Sequence, residues 1–251
     1  MSEQEKRKAI TKYFTSKPMA AIILLAIGGL FLLSGMASKE GGAGLIVFGV
    51  LLAGAGGGLL WMYIKGQVAD SQIDAWLAED LARLQNNALA KTGVAASQLI
   101  REQAYITGPN LWDRFPGVKN AHRKGKDRVI RYTPVSVCIV NFGKDHMFIY
   151  RCVLNFMTGA VMGERTDEYF YKDVVSVATS QIKYEFTFAN RKYILPNAEA
   201  FSLTTSGATS VEVILRDPTL LNLLGGGILP TERAENAVQV IRTILRDKKS
   251  A

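Results

Sequence analysis

Two uninterrupted apolar runs dominate the N-terminal part of the chain. Pro18 to Ala37 and Ala43 to Ile64 contain no charged side chain, and at ~1.5 Å rise per residue each covers the ~30 Å hydrocarbon core of a bilayer. The short link Ser38 to Gly42 makes the pair an antiparallel helical hairpin. After Gly66 the pattern changes to Ile73, Leu77, Leu81 and Leu84, one apolar stripe on a helix that runs to about Lys91 and stops at Thr92-Gly93. A shorter helical piece, Ala95 to Gln103, and the turn "TGPN" at Thr107 to Asn110 lead away from it.

From Val129 onward, β-branched and aromatic runs alternate with turn formers. Strands are expected near Val135–Phe142, His146–Phe156, Gly163–Tyr171, Val174–Ser180, Ile182–Phe188, Lys192–Leu195, Phe201–Thr205 and Ser210–Arg216. The connections "GKD", "TGA", "ANR", "PNA" and "SGA" favour sequential antiparallel hairpins. A turn at Lys144-Asp145 sets Cys138 and Cys152 almost opposite each other, as buried small hydrophobes and not a bridge. The end of the chain, from Thr231, is an amphipathic helix: Thr231 caps it, and Ala234, Val238, Ile241 and Leu245 share a face. A bent sheet offers such a helix an open end to plug. The expected division is a basic N-terminal segment 1–17, a transmembrane hairpin 18–64 with spans 18–37 and 43–64, a helical neck 65–110, and a β domain with its terminal helix, 111–251.

The glycines of the second span imitate a nucleotide loop only superficially. Leu59 stands where the third glycine of G-x-G-x-x-G belongs, and no Lys-Ser or Lys-Thr follows them. Small residues let helix backbones approach in lipid, where no hydrophobic force acts between helices. Ala21, Gly28 and Gly35 repeat every seven residues on the first span; Gly49, Ala53 and Gly57, and separately Gly54 and Gly58, repeat every four on the second. They serve the hairpin alone, or the hairpin plus a second copy. Lys6, Arg7, Lys8, Lys12 and Lys17 precede the first span and Lys65 follows the second, whereas the intervening turn has Lys39 balanced by Glu40. Both termini are therefore expected in the cytoplasm of a multi-pass inner-membrane protein. A cleaved signal peptide ending at Ala37 fits less well, because a second span begins a few residues later.

Charge adds one feature. The formal net charge is +8, and the densest basic stretch is "RFPGVKNAHRKGKDRVIR", Arg114 to Arg131, with Asp127 its only acid. It is either a solvated loop or a contact for anionic lipid headgroups, with Arg123, Lys124, Lys126 and Arg128 as the candidate residues. Phe115 is the only aromatic within it, so nucleic acid finds no stacking platform. The run "LLNLLGGGILP", Leu220 to Pro230, either dips into a bilayer interface or forms a short helix ending at Gly225.

Catalytic chemistry has little to work with. His122 and His146 are the only histidines, and neither lies in a ligand spacing with the two cysteines. No nucleophile elbow is present, so no metal, cofactor or catalytic residue is expected. Glu164, Asp167, Glu168 and Asp173, with Arg165 and Lys172 interleaved, read as members of cross-strand salt bridges on a wet strand face.

The meander of strands with one C-terminal helix, and "TDEYFYKDVVSV" at Thr166 to Val177 with its Tyr171-Lys172-Asp173-Val174 step, resembles the bacterial pleckstrin-homology-like (PH-like) domains of small membrane proteins. The resemblance covers about Arg128 to Lys249 and implies a membrane-anchored α+β protein: a two-helix hairpin, a helical neck and a PH-like bent antiparallel sheet or barrel capped by a helix. It implies a non-enzymatic interaction or scaffold module that binds a protein partner or anionic lipid. The alternative is a subunit of an oligomeric membrane assembly, pore- or stator-like, formed through the glycine-rich spans.

Overall fold

The computed structural model describes residues 1–15, 18–38, 42–110, 115, 117–188, 191–207 and 209–250. Lys17, Lys39, Glu40 and Arg114, with turn residues Ala189, Asn190 and Ala208, lie outside the described residues. The chain is α+β and divides into two compact units, Met1–Ala69 and Asp70–Ala251.

The first unit is helical throughout. The segment expected only to be basic forms helix α1 (Glu3–Phe14). A capping box starts it: the Glu5 N–H donates to Ser2 Oγ at 3.3 Å and the Ser2 N–H to Glu5 Oε2 at 2.8 Å. Helices α2 (Met19–Ala37) and α3 (Gly42–Lys65) follow, each long and apolar enough to cross a membrane. Their seam is nearly backbone on backbone. A Cβ added at Gly28 would lie 2.7 Å from the Ala53 nitrogen, and one at Gly49 would lie 2.9 Å from the Gly28 carbonyl oxygen. Ala21, Gly28 and Gly35 are the buried positions of α2, and they meet Gly42, Gly49 and Gly56. Gly57, Gly54 and Gly58 take no part in this seam: nothing stands within 4 Å of a Cβ at any of them. A seven-residue repeat stays on one seam because two turns take close to seven residues, whereas a four-residue repeat walks around the helix.

The second unit opens with α4 (Asp70–Thr92), which buries Ile73, Trp76, Leu81, Leu84 and Ala88 and ends at Gly93 in the left-handed conformation. The piece expected to be helical over Ala95–Gln103 is reduced to a 3₁₀ turn at Ala96–Gln98. The expected turn at Thr107–Asn110 is instead the end of strand β1 (Ala104–Pro109), which pairs antiparallel with β4 (Val135–Phe142). Gly108 is required where the two sheets meet, since a Cβ there would lie 2.7 Å from the Ile214 carbonyl oxygen. Strands β2 (Ala121–Lys124) and β3 (Ile130–Thr133) form a hairpin inserted between β1 and β4.

With β5 (His146–Asn155) and β6 (Ala160–Phe170), β1 and β4 make a four-stranded antiparallel sheet in the order β1-β4-β5-β6. Strands β7 (Val174–Phe188), β8 (Arg191–Thr205) and β9 (Ser210–Arg216) make a second antiparallel sheet. Here two pairs of expected strands fuse into the long β7 and β8, with a register shift at Ile182/Tyr184 where Pro196 and Asn197 bulge. A short helix, α5 (Pro218–Leu223), capped by Asp217, precedes α6 (Glu232–Ser250). One core lies between the sheets, where Phe142, Ile149, Phe201 and Val211 meet Ala234, Val238 and Ile241 of α6. A second gathers Leu81 and Leu84 of α4, Leu220 and Leu224 of the α5 region, and Ile139, Tyr150 and Leu195.

The cysteines are free and buried, but offset by one position from the expected pairing. Cys138 stands opposite Arg151, and Cys152 opposite Val137. Their side chains therefore point to opposite faces of the sheet. Burial pushes Cys138 up to about 12 and Cys152 to about 11, so both remain thiols.

Candidate functional site

From Ala121 onward the basic stretch forms the β2–β3 hairpin. Its turn is closed by the Gly125 N–H to the Val129 carbonyl at 2.9 Å and the Arg128 N–H to the Gly125 carbonyl at 3.1 Å. Arg128 sits at φ 65°, the only positive-φ residue other than glycine among the described residues. This is a three-residue turn whose last position takes the left-handed conformation, where glycine is the usual occupant.

Beneath the turn lies a charged cluster that sequence reasoning missed. Arg131 is only 6% exposed in its side chain. Its Nε and Nη2 donate to Asp74 Oδ1 and Oδ2 at 2.8 and 2.6 Å, and its Nη2 and Nη1 to Asp127 Oδ2 and Oδ1 at 2.7 and 3.1 Å. Asp127 is thereby held down to about 2, chiefly by its hydrogen bonds from Arg131. The Lys126 N–H donates to Asp70 Oδ2 at 2.8 Å. The first turns of α4 thus carry two carboxylates, one turn apart, that clamp the hairpin. The signal was available as Asp70-x-x-x-Asp74 at the start of an expected helix, four residues apart and so on one face.

A glycine loop braces the other side. The Ile228 N–H donates to the Arg128 carbonyl and the Ile130 N–H to the Ile228 carbonyl, both at 2.9 Å. A Cβ at Gly227, φ 144°, would lie 2.6 Å from the Arg128 carbonyl oxygen, so only glycine fits. Ile228 itself is 54% exposed beside the tip. Of the run Leu220–Pro230, Leu220 and Leu224 are buried, in accord with the short-helix alternative.

The four candidate cations divide. Arg123 lies on β2 directly opposite Arg131 and is half-buried. Lys124 Nζ donates to the Gly225 carbonyl at 3.0 Å, tying hairpin to glycine loop. Lys126 and Arg128 are exposed at the tip, and among the described residues neither side chain has an ion-pair partner. Below the hairpin, α4, β1 and the residues leading into α6 enclose a cleft of about 550 Å³.

Among the acids of β6, Asp167 makes a cross-strand salt bridge of the expected kind, to Arg151 of β5, but on a covered face. Asp167 lies on an inner face, not a wet one: it receives Arg151 Nη2 at 2.6 Å and Arg165 Nε at 2.9 Å with its side chain 12% exposed. Glu164 accepts from the Tyr150 hydroxyl at 2.6 Å and Lys91 at 3.1 Å. Among the described residues no group of three or more His, Cys, Asp or Glu side chains could hold a metal ion. No family model matches the chain, and no curated protein or solved structure matches it.

Proposed function

We propose that this protein is a membrane-tethered interaction module without catalytic activity, whose PH-like domain turns the β2–β3 hairpin toward anionic lipid headgroups on the cytoplasmic side of the inner membrane. The PH-like reading is supported by a four-stranded antiparallel sheet, interrupted in the chain by the β2–β3 hairpin, then a three-stranded antiparallel sheet, then the short α5 and the long C-terminal α6. Membrane tethering is supported by α2 and α3, whose large apolar side chains point away from their mutual seam.

The observation that carries the lipid reading is covalent. Only Gly66–Ala69 separates α3 from α4, so the chain allows Asp70 to lie no farther than roughly 18 Å from Lys65. Asp70 in turn holds the Lys126 amide at the hairpin tip. The tip thus belongs to the part of the second unit that the short link joins to α3, and each exposed basic residue there would gain about 1 kcal/mol on reaching an anionic leaflet. The gain falls off within a Debye length, about 8 Å at physiological salt.

The full chain in nanodiscs tests this. Trypsin cuts after Lys126 and Arg128, and cleavage is expected to slow severalfold in discs containing phosphatidylglycerol relative to phosphatidylcholine alone, recovering in high salt. Equal cleavage in the two discs would remove lipid as the ligand and leave a protein partner. A second reading has one specific observation in its favour: Gly54, Gly57 and Gly58 are small, open and unused by the hairpin seam. It makes the chain a subunit of a homo-oligomeric assembly, and cysteine crosslinking between copies at position 54 or 58 in native membranes decides it.

A further inference from the structure

The cleft beneath the hairpin has the volume of a small-molecule site, about 550 Å³ against ~300–1,000 Å³ for pockets that enclose organic ligands. Its walls are mainly apolar: Ile73, Leu77 and Leu81 of α4 face Ile130, Ile228 and Leu229. Its charged groups fall into two sets. At the hairpin end, Asp74, Asp127 and Arg131 satisfy one another. At the other end, Arg233 in the first turn of α6 is held by a neutral group: its Nη1 donates to the Tyr105 hydroxyl, and its guanidinium lies 5.7 Å from the Tyr105 ring centroid. Glu232 lines the same mouth, yet among the described residues no carboxylate pairs with Arg233.

A mainly apolar cleft lined also by a guanidinium that is held by a phenol and by no carboxylate among the described residues is complementary to a chain that ends in an oxyanion. Burying methylenes along Leu77, Leu81 and Leu229 supplies the affinity. The planar Arg233 fork, with the Tyr105 hydroxyl beside it, supplies directional hydrogen bonds to a carboxylate or phosphate. We propose that this cleft binds a single-chain anionic amphiphile, with its acyl chain between α4 and the glycine loop and its oxyanion on Arg233 and Tyr105. The site goes beyond the headgroup contact at the hairpin tip and does not depend on it, because Lys126 and Arg128 do not line the cleft.

The oxyanion belongs to a free fatty acid or to a lysophospholipid, and one experiment separates them. The full chain in nanodiscs is photolabelled with three diazirine probes of equal chain length: a fatty acid, a lysophosphatidylglycerol and a fatty-acid methyl ester. Labelled peptides are then mapped by mass spectrometry. The expected result is label on Ile73–Leu81 and Leu229–Arg233 from the acid or the lysolipid, at about tenfold the level of the ester, the difference a charge-assisted contact provides. The better of the two charged probes names the source. Arg233→Leu, at an exposed position, should bring the charged probes down to the ester's level. Leu77→Trp should lower all three, with circular dichroism reporting its fold, and in both variants label within Met19–Lys65 should stay unchanged. Label confined to Met19–Lys65, or cleft label equal for acid and ester, overturns the proposal. Tryptic protection at Lys126 and Arg128 is read on the same samples, so loss of the tip contact and loss of the cleft site are told apart.

Discussion

In α2 and α3 the seam is lined by Gly28, Gly35, Gly42, Gly49 and Gly56 while large side chains such as Leu30, Leu33 and Leu51 face out; from Asp70 onward the large apolar side chains are the ones buried. Leu30 is 64% exposed on α2, whereas Phe201 on β8 is 1% exposed. Burial from water holds the second unit together, at roughly 25 cal/mol per Å² of apolar surface. The α2–α3 contact is different: glycine backbones form its centre, with Leu25, Leu32 and Ile46 laid against them, and most of the large apolar surface stays outside it. Their pairing relies on close van der Waals approach, the packing mode of helices in an apolar solvent. The same composition of Leu, Ile, Val and Gly therefore encodes two different stabilising mechanisms, distinguished by where the glycines recur.

The sharpest test pairs one residue from each region. Phe201→Ala should cost about 4 kcal/mol in chemical denaturation of the second unit, through lost transfer energy and a cavity between the sheets. Leu30→Ala should leave the hairpin's resistance to denaturation unchanged, because that side chain meets neither α3 nor a core. A large loss at Leu30 would break the contrast. Next in size is Gly49→Leu: its new side chain meets the Gly28 carbonyl and the Leu32 nitrogen, each 2.9 Å from a Cβ. It should cost about 3 kcal/mol or separate the helices, as read by cysteine crosslinking between α2 and α3. Gly58→Leu, in open space, should leave that crosslink intact. If it also abolishes crosslinking between copies, the open glycines are the contact of an oligomer.

How far the sequence discloses each region follows from these mechanisms. Helices α2 and α3 are legible because charge is excluded over nearly their whole length, and α6 because its apolar stripe, cap and flanking charges agree. Strands β4, β5, β6 and β9 are legible through their apolar runs and turns. Strand β1 is hidden because Gly108 and Pro109, which signal a turn, are tolerated at a sheet junction where Ile214 approaches too closely for a side chain. Strand β2 is hidden because His122, Arg123 and Lys124 carry no alternating apolar signal, and β3 because Ile130 and Tyr132 alternate over only four residues. Arg131 is the extreme case: one of the basic residues in a stretch read as solvated or lipid-facing, it is buried and consumed by two carboxylates, one of them far away in sequence on α4.

That cluster gives the hairpin a dependence on charge that the α2–α3 seam cannot have. Arg131→Met leaves Asp74 and Asp127 without their shared partner and should cost about 2 kcal/mol, less than a fully buried pair because both acids are about half exposed. Acid should act on the same point. Asp127 is held at about 2, below its ordinary 3.8, so its contribution is complete above about pH 4 and is lost as pH falls toward 2. Proton-exchange protection of the hairpin amides should fall across that window, and Asp127→Asn should remove the dependence. The crosslink between α2 and α3 should stay constant throughout.

The smallest effect is the most telling about function. Arg128 occupies a left-handed turn position at φ 65°, a conformation that costs a non-glycine residue roughly 1 kcal/mol. Arg128→Gly relieves that cost, although glycine's greater freedom in the unfolded chain cancels part of the gain, so a stabilisation of about 0.5 kcal/mol is expected. If the tip contacts anionic headgroups, the same substitution should weaken the tryptic protection of Lys126 in phosphatidylglycerol discs, because one of two unpaired cations is gone. Stability and lipid contact would then move in opposite directions, which is how strain retained for a binding role behaves. A variant that gains stability and keeps full protection makes Arg128 an ordinary turn residue. The lipid contact would then rest on Lys126 alone.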